Sequence, residues 1–132
     1  MPRVVWLLHQ GWPCTEVVLT IALSAQLFPR TLLADTGAGS RTSLFQLLLD
    51  ESDCLHCGGV PVAWTTLSGA YSGSFRLYKL LVQIPALSFS QTLHVVGVSS
   101  IPAGFDGIAC FSFLNRFTYG NFGDPGQFGL EC

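Results

Sequence analysis

The apolar residues of this chain are arranged in short runs, separated by glycine, proline and other turn-forming residues. Runs such as Val60 to Leu67 and Phe75 to Ile84 are rich in aromatic and β-branched residues. No run approaches the roughly 20 apolar residues that a membrane-spanning helix needs. Many short strands joined by turns pack as a barrel or sandwich, and no alternating βαβ pattern is visible. The sequence therefore predicts an all-β fold.

Strands and turns can be placed along the chain from these runs. Glu16 to Leu23 and Thr31 to Ala34 are predicted strands on either side of a break at Phe28-Pro29-Arg30. The glycine- and serine-rich segment Ser68 to Ser74 predicts a hairpin between the two runs named above. The other predicted strands are Leu87 to Val98, as a pair or as one long bent strand, and a closing hairpin of Phe117 to Phe122 with Gly126 to Leu130.

Two segments are predicted to be helical. Ser43 is a suitable cap for a helix over Leu44 to Glu51, and Cys110 to Phe117 is a short apolar segment without glycine or proline. A chain of 132 residues is long enough for one core and too short for two. Residues 1–132 are therefore predicted to form a single domain.

Charge is scarce in this chain, at 11% of residues against roughly 25% in an average soluble domain. The formal net charge is -2, and the basic residues are scattered singly, without the basic cluster that nucleic-acid binding requires. Hydrophobic residues make up 49%, so the chain has few charges with which to cover the surface of a monomer. We expect neither a nucleic acid nor a membrane as partner.

The N-terminus and the cysteines indicate the compartment. The apolar run Val4 to Leu8 is shorter than the roughly 7 to 15 residues of a signal-peptide core. Five cysteines at irregular spacings are an odd number, which argues against a secreted disulfide framework. We therefore expect a mature, soluble, cytoplasmic chain.

The segment with chemical specificity is Leu32-Leu33-Ala34-Asp35-Thr36-Gly37-Ala38-Gly39-Ser40. A carboxylate at the end of an apolar strand is costly to bury unless it is paired, hydrogen-bonded or protonated. One explanation is an Asx turn, in which Asp35 caps the backbone amides that follow. The other is a functional carboxylate, because the small residues after Asp35 leave room for a ligand.

This segment resembles the active-site strand of the retropepsin-type aspartic proteases, the retroviral and retroviral-like peptidases. The order of the other parts is similar as well. The hairpin tip at Ser68 to Ser74 stands where that family carries its flap, and Phe105 to Leu114 stands where it carries an apolar strand and a short helix. The resemblance implies a closed β-barrel-like half of an aspartic protease, with one or two short helices and a flap hairpin.

The resemblance also implies a homodimer, because subunits of the family supply half an active site each and Asp-Thr-Gly occurs here once, at Asp35. Two Asp35 carboxylates would share a proton and activate a water molecule that hydrolyses a peptide bond, without a metal or cofactor. Thr36 would brace the two turns across the dimer, and Gly37 would let the substrate backbone approach. The chain ends, Val4 to Leu8 and Gln127 to Leu130, are the implied interface. The implied substrate-binding residues are Ala38, Gly69, Ala70, Tyr71, Ser72, Gly73 and Ile108.

One position departs from the family pattern. The family usually has two apolar residues and then glycine before the short helix, whereas this chain has Ile108-Ala109-Cys110. Cysteine puts a side chain where the family brings backbones together. A second class of function therefore stays open, a retropepsin-like domain that dimerises or binds peptides without cleaving them. A peptide or protein partner is expected in either case.

Other motifs carry weaker signals. Cys54 and Cys57 have the spacing of half a zinc site, but no second pair matches, so a buried or solvent-facing thiol pair is predicted. The segment Gly37 to Ser40 lacks the lysine of a phosphate-binding loop. His56 and His94 are predicted to be surface or core residues, because no serine or cysteine stands in a nucleophile elbow.

Overall fold

The computed structural model describes residues 2–132, which form ten β-strands, two short α-helices and one 3₁₀ turn at Pro85–Leu87. The helices are α1 (Glu51–His56) and α2 (Phe111–Leu114), and no helix in this range is long and apolar enough to cross a membrane. The strands are β1 (Arg3–Leu7), β2 (Cys14–Thr20), β3 (Leu27–Ala34), β4 (Leu47–Asp50), β5 (Ala63–Leu67), β6 (Gly73–Ile84), β7 (Phe89–Val98), β8 (Gly107–Ala109), β9 (Thr118–Gly120) and β10 (Gln127–Glu131). The predicted all-β class is confirmed.

The larger sheet of the described residues has the strand order β2-β3-β8-β4-β7-β6-β5. It closes on itself because Val18 of β2 also pairs with Gln83 of β6. The closed part is a six-stranded barrel, and β5 lies outside it as an edge strand on β6. The closed barrel implied by the resemblance is confirmed.

Strand β8 lies between β3 and β4 in the sheet. It runs parallel to β3 and antiparallel to β4. A Cβ on Gly107 would collide with the carbonyl oxygen of Leu48, so only glycine allows the two strands to approach this closely. As a result, the end of β3 at Ala34 lies directly beside the end of β8 at Ala109.

Two apolar clusters lie on opposite faces of the sheet. The larger fills the barrel, and α2 contributes the fully buried Phe113 to it. Phe89, Phe113 and Phe117 pack edge to face, with ring centroids 5.4 to 5.9 Å apart. The buried members of the smaller cluster are Leu48, Leu77, Val96, Val98, Ile108 and Cys110. This smaller cluster underlies the candidate site.

The helix predicted over Leu44 to Glu51 is wrong, because Leu47–Asp50 forms β4. This strand pairs with β7 on one side and with β8 on the other, and its three leucines are buried. Two ladders and burial on both faces outweigh a local helical preference. The helix begins later, at α1, where the Asp50 carboxylate accepts a hydrogen bond from the Ser52 N–H at 2.9 Å.

The predicted break at Phe28-Pro29-Arg30 is also wrong, because β3 runs through it. Pro29 pairs with Val18 of β2, whereas β8 pairs only with the last three residues of β3. At Pro29 the side of β3 that faces away from β2 is therefore unpaired. A proline is tolerated there, because its missing N–H removes no hydrogen bond between strands.

The predicted hairpins are present. Strands β5 and β6 pair around a tip at residues 68–72, and β9 pairs with β10 at the end of the chain. The predicted segment Leu87 to Val98 contains one strand, β7, which begins at Phe89, and Leu87 itself ends the preceding 3₁₀ turn. Strand β10 also pairs with β1 of the same chain, from Arg3 opposite Glu131 to Leu7 opposite Gln127. The two chain ends therefore form one small sheet.

Candidate active site

Asp35 lies directly after β3, at the point where β3 and β8 end together. Its backbone N–H donates a hydrogen bond to the carbonyl oxygen of Ala109 at 3.0 Å, which continues the parallel ladder by one residue. Its carbonyl oxygen accepts a hydrogen bond from the Ala38 N–H at 3.2 Å, which closes a tight turn. The barrel itself therefore fixes the backbone of Asp35.

The Asp35 carboxylate is half-buried and is held by its own turn. Its Oδ1 atom accepts a hydrogen bond from the Gly37 N–H at 2.9 Å. A Cβ on residue 37 would lie 3.2 Å from that oxygen, closer than most Cβ contacts. An Asx turn is thus present, and it orients the carboxylate while leaving the second oxygen available to a water molecule or a peptide.

The rest of this turn is braced by α2 and by serine side chains. The Ala38 carbonyl oxygen accepts a hydrogen bond from the N–H of Phe111, the first residue of α2, at 2.9 Å. The Ser43 hydroxyl accepts one from the Ser40 N–H at 2.8 Å. Gly39 has a φ of +72°, and a Cβ there would lie 2.9 Å from the Ser43 hydroxyl oxygen. Glycine is therefore required at position 39 for this shape of the turn.

A cavity of about 400 Å³ lies between the Asp35 turn and the β5–β6 hairpin. Of the described residues that line it, Asp35 alone carries a charge. The predicted site residues that line this cleft are Asp35, Gly37, Ala38, Gly69, Ala70, Tyr71 and Ile108. The structure therefore brings the Asp-Thr-Gly turn and the hairpin tip to one mostly apolar cleft.

Three predicted site residues do not line the cleft. Thr36 is exposed beside Asp35. The Ser72 hydroxyl donates a hydrogen bond to the Gly69 carbonyl oxygen at 2.9 Å, inside the hairpin tip. Gly73 begins β6 with a φ of +128°. Ser72 and Gly73 therefore shape the hairpin from outside the cleft.

Several lining residues are not predicted from the sequence. Phe45 and Leu48 lie in the segment for which the sequence predicts a helix. Because that prediction is wrong, it does not show which way these two side chains point. Leu48 faces the cleft because Leu47 and Leu49 face the barrel interior, as alternation along a strand requires. The other lining residues missed are Gly39, Thr66, Leu67 and Ser68. Alternation along β4 is the signal that identifies Leu48.

Cys110, the departure from the family pattern, lies between β8 and α2. It is fully buried in the smaller cluster and does not line the cleft. Burial, and then the nearby Asp35 carboxylate, raises the pKa of its thiol to about 12. Burial, and then Cys110, also raises the pKa of Tyr71. The thiol is therefore neutral near pH 7, behaves as a small apolar side chain, and leaves the cleft open.

Asp106 is engaged with β3. Its backbone N–H donates to the Thr31 carbonyl oxygen at 2.8 Å, and its Oδ2 accepts from the Thr31 N–H at 2.8 Å. These two hydrogen bonds fasten the segment before β8 to β3. Asp106 therefore has a structural role.

Cys54 and Cys57 belong to the packing of α1. Cys54 is fully buried, and this burial raises the pKa of its thiol to about 12. Burial also raises the pKa of Cys57. Thiols with a raised pKa are poor nucleophiles and poor metal ligands. Across residues 2–132, no three His, Cys, Asp or Glu side chains are grouped so that they could hold a metal ion.

No protein-family model and no curated protein matches this chain. Among solved structures, it is similar to the crystal structure of a retropepsin-like aspartic protease from Rickettsia conorii. The two chains are 14% identical and superpose with a TM-score of 0.59, covering 97% of this chain and 89% of that one. The chain therefore has the fold of a retropepsin-like aspartic protease, as the sequence predicts.

Proposed function

We propose that this chain is one protomer of a homodimeric aspartic endopeptidase that hydrolyses peptide bonds in extended polypeptides. The observation that carries the proposal is the position of Asp35, at the end of a barrel strand and open to a cleft of about 400 Å³. Its backbone is tied to Ala109 and its carboxylate to the Gly37 N–H. A carboxylate held this firmly is preorganised for chemistry, and the retropepsin-like fold supports the assignment.

The second carboxylate has to come from a second copy of the chain. Asp-Thr-Gly occurs once in the sequence, and Asp106 is already hydrogen-bonded to β3. A twofold axis beside Asp35 supplies the second aspartate. Thr36 is exposed next to Asp35, where it can brace the two turns across this axis. The exposed side chains of Val5 and Leu7 on β1 give the chain ends an apolar face for the same interface.

Two carboxylates close together cannot both ionise, so the pair shares one proton. The ionised member accepts a proton from water as the water oxygen attacks the carbonyl carbon of the scissile bond. The protonated member gives its proton to the carbonyl oxygen, which forms a neutral tetrahedral diol. The diol collapses when a proton passes to the amide nitrogen and the C–N bond breaks. The products are a carboxylic acid and an amine, and the pair is again singly protonated.

The cleft suits an extended peptide with apolar side chains. The hairpin acts as a flap, with residues 69–71 of its tip lining the cleft, and its backbone groups can pair with a peptide as an added strand. Phe45, Leu48 and Ile108 provide an apolar wall. We therefore expect cleavage between or beside apolar residues.

Cleavage of a peptide library by the wild type and by Asp35→Asn, from about pH 4 to 7, tests this proposal over the range in which carboxyl pairs titrate. Asp35→Asn removes the shared proton with little change in size, so it should abolish cleavage and leave the sedimenting dimer intact. Asp124→Asn is the matched control, because Asp124 also accepts a hydrogen bond from the N–H two residues ahead, Gly126, at 2.9 Å. It lies between β9 and β10, outside the cleft.

Two outcomes of this experiment oppose the proposal. If the wild type cleaves no peptide, the proposed endopeptidase activity is wrong. If that inactive wild type still sediments as a dimer, the result favours a retropepsin-like domain that binds peptides without cleaving them. A wild type that sediments as a monomer at micromolar concentration contradicts the shared site.

A further inference from the structure

A second cavity, of about 260 Å³, shares no lining residue with the cleft of Asp35. It is formed mainly by the two strands of the hairpin. Its lining includes Trp64 of β5, Ser74, Phe75 and Arg76 of β6, Glu51 of α1, and Ser99 after β7. We propose that this cavity and the free edge of β5 form a binding site for an extended polypeptide segment that carries a carboxylate side chain.

Arg76 supplies the positive charge of this site, and the carboxylate of Glu51, which also lines it, supplies a negative one. Its Nη1 atom lies 3.5 Å from Glu51 Oε2, which is an ion pair at the long limit of a hydrogen bond, and its guanidinium carbon lies 5.3 Å from the centroid of the Trp64 ring. Glu51 Oε2 also accepts a hydrogen bond from the Tyr78 hydroxyl at 2.7 Å. The guanidinium has five N–H donors in a planar fork, so donors remain for a further carboxylate.

The outer edge of β5 supplies the backbone groups. Strand β5 is terminal in its sheet, and no strand of the described chain pairs with its outer edge. The N–H and C=O groups along such an edge can pair with an added strand. Trp64 of β5 is exposed by 66%, and Val60 and Val62, which precede the strand, are exposed by 71% and 51%. An unpaired edge with exposed apolar side chains is complementary to an extended peptide.

A second copy of the same strand is a poor occupant. Residues 58–68 contain no Asp or Glu, so pairing two β5 edges would join two apolar segments and supply no carboxylate to Arg76. A different polypeptide segment with one acidic side chain can pair with the backbone groups of the β5 edge and also place a carboxylate beside the Arg76 guanidinium. Because the cavity is separate from the cleft, this binding does not depend on cleavage at Asp35.

An NMR titration of ¹⁵N-labelled protein tests the site. The probe is a blocked nonapeptide of alternating threonine and valine with glutamate at its centre, and Asp35→Asn protein is used so that the probe is not consumed. Amide shifts of Thr65 and Arg76 should saturate with peptide. Arg76→Gln should weaken binding about tenfold, as should glutamine in place of the probe's glutamate. Lys79→Gln is the matched control, since Lys79 is an exposed cation of β6 outside the cavity.

Trp64→Ala, at a position where the side chain is exposed by 66%, should also weaken binding. Equal affinity of Arg76→Gln and Lys79→Gln would overturn the proposal. So would shifts confined to the surroundings of Gly37 and Tyr71, which would place the probe in the cleft. The Thr65 amide shift could also change with protein concentration in the absence of peptide. That result would show that a second copy of the chain binds the β5 edge, and it would overturn the proposal as well. None of these measurements depends on cleavage, so this site and the proposed function can fail independently.

Discussion

The Asp35 N–H donates a hydrogen bond to the Ala109 carbonyl oxygen at 3.0 Å, so the two strands that meet at the site are tied at their ends. This bond extends the parallel pairing of β3 and β8, two strands of the closed barrel. The backbone of the candidate catalytic residue therefore shares the rigidity of the barrel. The carboxylate itself is oriented by one contact, the Gly37 N–H.

Gly37→Ala should lower activity more than stability. The added Cβ would lie 3.2 Å from Asp35 Oδ1, so the carboxylate has to shift by a few tenths of an ångström. We expect kcat/KM to fall about tenfold, because displacement of a reacting group by a fraction of an ångström is costly in rate. The control is Gly126→Ala, where a Cβ would lie 3.3 Å from Asp124 Oδ1 in an equivalent turn outside the cleft. Equal kcat/KM in both variants would contradict the orienting role of Gly37.

Thr15→Val should stabilise the protein. Thr15 is fully buried, and its hydroxyl oxygen has no hydrogen-bond partner in the described part of the chain. Valine has nearly the same shape and removes this unsatisfied group, so the free energy of unfolding should rise by about 1 to 2 kcal/mol in urea titrations. Thr92→Val, at an exposed position of β7, should change it by less than about 0.5 kcal/mol. A destabilised Thr15→Val variant would indicate that the hydroxyl has a partner, such as a buried water molecule.

Tyr78 should make stability depend on pH in the alkaline range. Burial, and then the hydrogen bond to Glu51, raises the pKa of Tyr78 to about 12, whereas an unfolded tyrosine ionises near pH 10. Between these values the folded state keeps a proton that the unfolded state has lost, so stability falls as pH rises. Tyr78→Phe lacks this proton. The stability advantage of the wild type over Tyr78→Phe should therefore shrink by about 2 kcal/mol from pH 10 to 12 in urea titrations. Parallel pH profiles of the two proteins would contradict the assignment.

Arg30→Lys should loosen the contact between α1 and β3. Arg30 donates to both oxygens of Asp53, at 2.9 and 3.3 Å, and its guanidinium carbon lies 3.4 Å from the centroid of the Phe28 ring. A lysine cannot keep both contacts, so the free energy of unfolding should drop by about 1 kcal/mol or more. Arg41→Lys is the control, because Arg41 is exposed and forms no ion pair within residues 2–132. Equal free energies of unfolding in the two variants would show that the paired hydrogen bonds from Arg30 to Asp53 do not stabilise the fold.

The parts of the site that depend on neighbouring residues could be predicted from the sequence. The Asp35 turn needs a carboxylate followed by small residues, and the hairpin tip needs glycines and serines between two apolar runs. Both signals lie within a few positions of the chain. They identify the Asp35 turn and the hairpin tip, which line the cleft together.

The parts that depend on distant partners could not be predicted. Leu47 pairs with Val95 and with Ala109, about 50 and 60 residues away, and only these ladders make its segment a strand. Alternation places Leu48 in the cleft only once this segment is known to be a strand, so the sequence alone does not predict that Leu48 lines the cleft. The burial of Cys110 behind the cleft depends on side chains from β4, β6 and β7 that pack around it, so its effect on the site could not be deduced from its own position.

The central claim is that two Asp35 carboxylates, one from each chain, form one active site. Wild-type and Asp35→Asn chains, mixed in equal amounts, dissociated and allowed to pair at random, test it most directly through peptide cleavage at constant total chain concentration. Random pairing leaves about one quarter of the dimers with both carboxylates, so the expected activity is about one quarter of that of the wild type. An activity of about one half would show that each chain works alone and would contradict the shared site.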